Sequence, residues 1–192
     1  MNFRNRRAQP CCSAYLLILA GMLAGCTPGV ERPEMKRLTE ANSIHIQEGW
    51  GGLGIASHAE YVLKREGNAF KGEGHFTVGR LEEKASIELP PDVAQKFLRQ
   101  LGEAKLEKGP YTPLIQHTDD YPSFRIELGL AGGTVVIHSE SQGEYHVPWA
   151  AEIGSQVYVI DSELPARAYM DLKPYLKPEI RERLANEASK RR

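Results

Sequence analysis

Sulfur is scarce in this sequence and confined to one end. The 192 residues include three cysteines, Cys11, Cys12 and Cys26, and none follows. Beyond residue 26 no disulfide can staple the chain, so any fold there rests on its core alone. No apolar run reaches the roughly 20 residues that a membrane-spanning helix needs. Charge is not concentrated either: 24 basic residues stand against 25 acidic ones, a net charge of −1. The absence of a basic block argues against a nucleic-acid partner. Two enzyme signatures are missing as well. The segment Gly49-Trp50-Gly51-Gly52-Leu53-Gly54 has the glycines of a phosphate loop without its Lys-Ser/Thr ending. No Gly-x-Ser-x-Gly nucleophile elbow occurs.

What is present begins with a tripartite leader. Arg4, Arg6 and Arg7 form a positive start, Tyr15 to Leu23 an apolar run, and Ala24-Gly25 a small-residue site before Cys26. That order marks a secretory signal. The run Leu23-Ala24-Gly25-Cys26 resembles the lipobox of bacterial lipoproteins. The resemblance implies cleavage before Cys26, covalent lipid on its sulfur, and attachment of the remaining chain to a membrane. It also implies more than one acyl chain, which stable anchoring requires. Thr27, rather than aspartate, follows the cysteine; by the same resemblance this favours the outer membrane, facing the periplasm, in a Gram-negative host. Removing 25 of the 192 residues leaves 167 and takes three arginines with it, shifting the net charge from −1 to −4. A chain of that size can bury a core as one domain.

Residues 26–42, rich in proline and charge, read as the lipidated cysteine and a tether, with room for a short helix from Pro33 to Ala41. Residues 43–177 read as one α+β domain, a mostly antiparallel sheet of hairpins with two or three helices on one face. Ile44 and Ile46 alternate with polar neighbours as a half-buried strand does. Gly67-Asn68 suits a two-residue hairpin turn, which would set Tyr61 opposite Gly74 and Leu63 opposite Gly72. Ala85, Ile87 and Leu89 mark a strand that Pro90-Pro91 ends. Val93, Phe97 and Leu101 then form a helical stripe. Phe124, Ile126 and Leu128 predict a strand, Gly132-Gly133 a turn, 134–140 and 144–149 a second hairpin, and Val157 and Val159 a further strand. Ser162 suits the N-cap of a helix through Leu164, Ala168 and Leu172. Pro178 opens a last amphipathic helix with Ile180 and Leu184, the C-terminal helix or tail 178–192, whose closing Lys190, Arg191 and Arg192 suit a helix C-terminus. The pattern from Ala85 to Ala104 returns from Val157 to Leu176, a faint internal duplication.

Two groups of residues carry candidate chemistry. The long connection after residue 105 holds His117, Asp119 and Asp120, with Ser123 close behind; with Trp50 these are candidate binding residues, and the loop has the residue types of a hydrolase site without its signature. In the hairpin 134–149, a three-residue loop at Ser141-Gln142-Gly143 would pair Glu140 with Glu144 and His138 with His146. Alternation would put all four on one face, where two imidazoles and two carboxylates can hold a divalent metal. The reading that the absences favour is a non-enzymatic binding or interaction module of the cell envelope. It is anchored through Cys26, needs no cofactor beyond the lipid, and meets an envelope protein or the cell wall as partner. The alternative is a hydrolase or metal-binding protein using 117–123 or the His138/His146 face.

Overall fold

The computed structural model describes residues 32–50, 55–107, 123–140, 149–160 and 163–190, with the side chains of Trp50 and Glu140 outside the description. The first hairpins follow directly from their turn residues. Strand β2 (Ser57–Glu66) returns as β3 (Ala69–Val78) through Gly67, whose φ of +61° suits glycine. Tyr61 faces Gly74 and Leu63 faces Gly72, as the turn predicts. These glycines leave room for their partners. A Cβ on Gly72 would come within 1.9 Å of the Val62 carbonyl oxygen, and one on Gly74 would press on the Tyr61 and Phe76 rings. Those rings meet edge to face with centroids 5.6 Å apart. Gly72→Ala should therefore destabilise the fold by about 1–3 kcal/mol through overpacking against backbone. Gly132→Ala, in a turn with nothing within 4 Å, should cost under about 1 kcal/mol. Equal urea midpoints for the two variants would show that the close approach is not formed.

Strand β1 (Ser43–Trp50) precedes this hairpin, and β4 (Leu81–Leu89) follows it. The second half repeats the plan with β6 (Ser123–Leu130), β7 (Gly133–Glu140), β8 (Trp149–Ile153) and β9 (Gln156–Ile160). The nine-stranded sheet has the order β4-β3-β2-β1-β6-β7-β8-β9-β5, where β5 is the short Leu106–Glu107, and every pairing is antiparallel. The two meanders thus meet at β1 and β6, with Ile46 opposite Ile126. Each meander is followed by a helix: α2 (Pro91–Gly102) after β4 and α3 (Leu164–Leu172) after β9. Ala94 and Leu98 of α2 and Ala168 and Leu172 of α3 are buried at the same four-residue spacing. The faint echo in the sequence is a matching of whole meander-plus-helix halves.

One sheet face, carrying Ile44, Ile46, Phe70, Phe76, Ile126 and Ile137, packs with the helices into the core. The other carries Ser43, His45, Gln47 and their neighbours. The amphipathic helix expected from Pro178 is α4 (Pro178–Lys190), which buries Ile180 and Leu184. Two expectations need correction. The stretch taken as tether is part of the folded unit from Arg32 onward. Helix α1 (Pro33–Lys36) and a 3-10 turn over Leu38–Glu40 bury Met35, Leu38 and Ala41. The strand placed at 144–149 meets the described β8 (Trp149–Ile153) only at Trp149, and 144–148 lie outside the described residues. Trp149, Ala150 and Ala151 are all buried, so that strand shows no alternation to read. In β9 the inward residues are Tyr158 and Ile160, while Val157 is 43% exposed. Ser162 lies outside the described residues; Glu163 stands at the start of α3 without a side-chain cap.

Candidate binding site

Alternation along β1 sets Glu48 on the core side, two residues beyond Ile46, where it is 4% exposed. A carboxylate so deep needs compensation at both oxygens. Tyr169 of α3 donates its hydroxyl hydrogen bond to Oε2, and Arg181 of α4 donates from its guanidinium to Oε1. The Tyr169 ring leans on Phe124 with centroids 5.0 Å apart, which fixes the hydroxyl's direction. Burial, then the neighbouring Glu48 charge, pushes both Tyr169 and Tyr61 well above the usual phenol range. Both remain protonated donors across the physiological range.

Arg181 also lines a cavity of about 590 Å³ between α4 and the sheet, which Glu48 and Tyr61 border from below. Ile55, Val78, Pro178 and Ala185 give it an apolar wall. Ser57 and Lys173 add polar groups. Ser57 is 9% exposed, and its Oγ has no hydrogen-bond partner among the described residues. The size lies within the range of small-molecule pockets, about 300–1,000 Å³, and so does the composition, mostly apolar with a few polar groups. A second hollow, between α2 and α3, measures about 150 Å³ and is lined by Lys96, Gln100 and Asp171. These already bond to one another, Lys96 to Asp171 at 2.7 Å and Gln100 to Asp171 at 3.0 Å.

The outer sheet face is polar and internally paired. His45 lies 2.7 Å from Glu60 and 3.6 Å from Glu127, and His75 lies 3.7 Å from Glu82. The hydrogen bond with His45, then that from Gln47, holds the Glu60 carboxyl below its usual range. Arg125, 2.7 Å away, does the same chiefly for Glu127. Among the described residues no group of three or more such side chains is arranged to hold a metal ion.

His138 faces this side, as expected, but its partner across β7–β8 is Ala150, not His146. Residues 141–148 lie outside the described residues, and the register of β7 on β8 differs from the one a loop at Ser141-Gln142-Gly143 would set. His138 lies 3.1 Å from Glu152 instead. The backbone of Glu140 pairs with Ser123 in β6. Glu144 and His146 lie outside the described residues, as do Cys26, His117, Asp119 and Asp120. Trp50 pairs through its backbone with Ser57. The undescribed stretches 51–54, 108–122 and 141–148 join strands at Trp50, Ser123, Glu140 and Trp149. Register sets these positions at the end of the sheet where Glu48 lies.

Reading the sequence missed Glu48, Ser57, Tyr169, Lys173 and Arg181. One signal was available: Glu48 occupies the parity of Ile44 and Ile46, and an acid at an inward position calls for a partner. The chain matches no family model, no curated protein and no solved structure.

Proposed function

We propose that this protein is an envelope lipoprotein that binds a small molecule in the cavity beneath α4, without chemistry of its own. The observation that carries the binding reading is the cavity itself: an apolar wall, a Glu48–Arg181 pair and a buried Ser57 hydroxyl with no partner among the described residues. The membrane reading rests on the leader and on Cys26. It gains a geometric consequence. Five residues lie between Cys26 and Arg32, and the six steps span at most about 20 Å, so the domain stands close to its bilayer. Arg32 packs over the Tyr158 ring, 4.7 Å from its centroid, and Arg65 holds the carbonyls of Thr39 and Ala41. The Arg65 contacts lie at the Ser43 end of β1, whereas Glu48 and Ser57 of the cavity lie toward its Trp50 end. No helix among the described residues is long and apolar enough to cross a membrane.

Mature protein in lipid nanodiscs, screened against small molecules by thermal shift, tests this reading. A ligand at a hundred times its Kd adds about 2.7 kcal/mol, or roughly 5–10 °C in Tm for a domain of this size. Ala185→Trp, which fills the cavity, should abolish those shifts. Hits that stabilise wild type and variant equally would remove the cavity from consideration. In the same host, Cys26→Ala should leave an uncut, unlipidated precursor; normal processing of that variant would overturn the anchor.

A further inference from the structure

We propose that the cavity takes a small amphipathic monoanion, a carboxylate on an aliphatic or aromatic body. This rests on the cavity being the binding site and names what fills it. The polar groups around the cavity divide into those already satisfied and those still open. Glu48 has a donor on each oxygen, from Tyr169 and Arg181, so it asks for no cation from a ligand. Glu182, the other acid on the wall, is exposed to solvent and screened. What stays open is a set of donors. Lys173 makes no ion pair with any described residue, and its ammonium carries three N–H donors. Arg181 uses one nitrogen on Glu48 and has five N–H donors in all. The Ser57 hydroxyl is buried and has no hydrogen-bond partner among the described residues.

An excess of donors calls for an acceptor, and Lys173, a cation on the wall with no carboxylate partner among the described residues, calls for one that carries negative charge. Charge-assisted bonds to a carboxylate are the strong solution in such a setting. The body of the ligand follows from the rest of the wall. Ile55, Val78, Pro178 and Ala185 offer no hydrogen bonds, and a space of about 590 Å³ far exceeds what a bare inorganic anion fills. A hydrophilic dianion would leave that wall wet. A carboxylate with an apolar body satisfies both halves, its head at Lys173 and Arg181 and its body along α4 and the ends of β2 and β3.

The test uses matched probes that share a body and differ in head: phenylbutyrate, phenylbutanol and phenylbutylammonium, with octanoate, octanol and octylammonium as a second set. Each is titrated calorimetrically into the mature protein in nanodiscs, with empty nanodiscs subtracted. The carboxylates should bind about tenfold or more tightly than the alcohols, and the ammonium compounds most weakly. Lys173→Gln should bring the carboxylates down to the alcohols while leaving alcohol affinity unchanged. The Lys173 side chain makes no hydrogen bond or ion pair among the described residues, so the unfolding midpoint should move little and confirm an intact protein. Equal affinity for all three heads, lost in Ala185→Trp, would overturn the anion while leaving the cavity as a binding site. Tighter binding of the ammonium compounds would overturn it too, as would failure of both carboxylates to bind at millimolar concentration. If the hits of the wider screen ignore Ala185→Trp, it is the underlying site that fails.

Discussion

Arg181→Ala should lower the unfolding free energy by about 3–5 kcal/mol, because it strands a buried carboxylate. Glu48 is 4% exposed, and the alanine would remove the guanidinium that compensates its Oε1. The penalty belongs to the uncompensated charge more than to the lost attraction. A double variant, Glu48→Gln with Arg181→Met, should therefore recover a large part of the loss. Arg183 provides the contrast on the same helix. It grips both oxygens of Glu83 at 2.6 Å, yet its side chain is 52% exposed. Arg183→Ala should cost only about 0–1 kcal/mol, as exposed pairs do. Urea unfolding of the four proteins measures all of this. Similar losses for Arg181→Ala and Arg183→Ala, or a double variant no better than the single, would show that Glu48 is not held as described.

Leu38→Ala should cost about 2–5 kcal/mol, the usual range for truncating a leucine in a packed core. In a flexible tether the same change would cost almost nothing. Leu38 is fully buried, and the chain around it is fixed at several points. Arg65 donates to the carbonyl of Ala41 at 2.7 Å and to that of Thr39 at 2.9 Å. Helix α2 approaches α1 so closely that a Cβ on Gly102 would lie 2.7 Å from the Met35 carbonyl oxygen. A loss below about 0.5 kcal/mol in chemical unfolding would return this segment to the tether.

The misreading of that segment has a plain cause. Pro33, Glu34, Lys36, Arg37 and Glu40 dominate its composition. The three buried residues, Met35, Leu38 and Ala41, recur every third position over only two turns. A stripe that short is indistinguishable from chance until another surface is there to receive it. The helix from Pro178 was legible by contrast: Ile180 and Leu184, one turn apart, are the residues that α4 buries.

The pairing of His138 with His146 failed at register. A hairpin's pairing is set by its loop length, and the sequence offered Ser141-Gln142-Gly143 as a credible short loop. His138 pairs instead with Ala150, in a strand where Trp149, Ala150 and Ala151 are all buried. Consecutive buried residues give no periodic signal, so this strand was the least legible one.

By itself the sequence determined the elements whose signal is local: the Gly67 hairpin and its glycine partners, the stripe of α2, the strands around Ile126 and Ile137, and hence an antiparallel α+β fold with helices on one face. Backbone periods of 2 and 3.6 residues, and the few residues that tolerate tight turns, are properties of short windows. Tertiary structure alone decided that β1 and β6 meet at the centre, that α4 closes over the sheet, and that Glu48 finds Arg181 across 133 positions of chain. Such choices depend on which buried surfaces fit and which buried charges must be neutralised. Those terms exist only once distant segments have met.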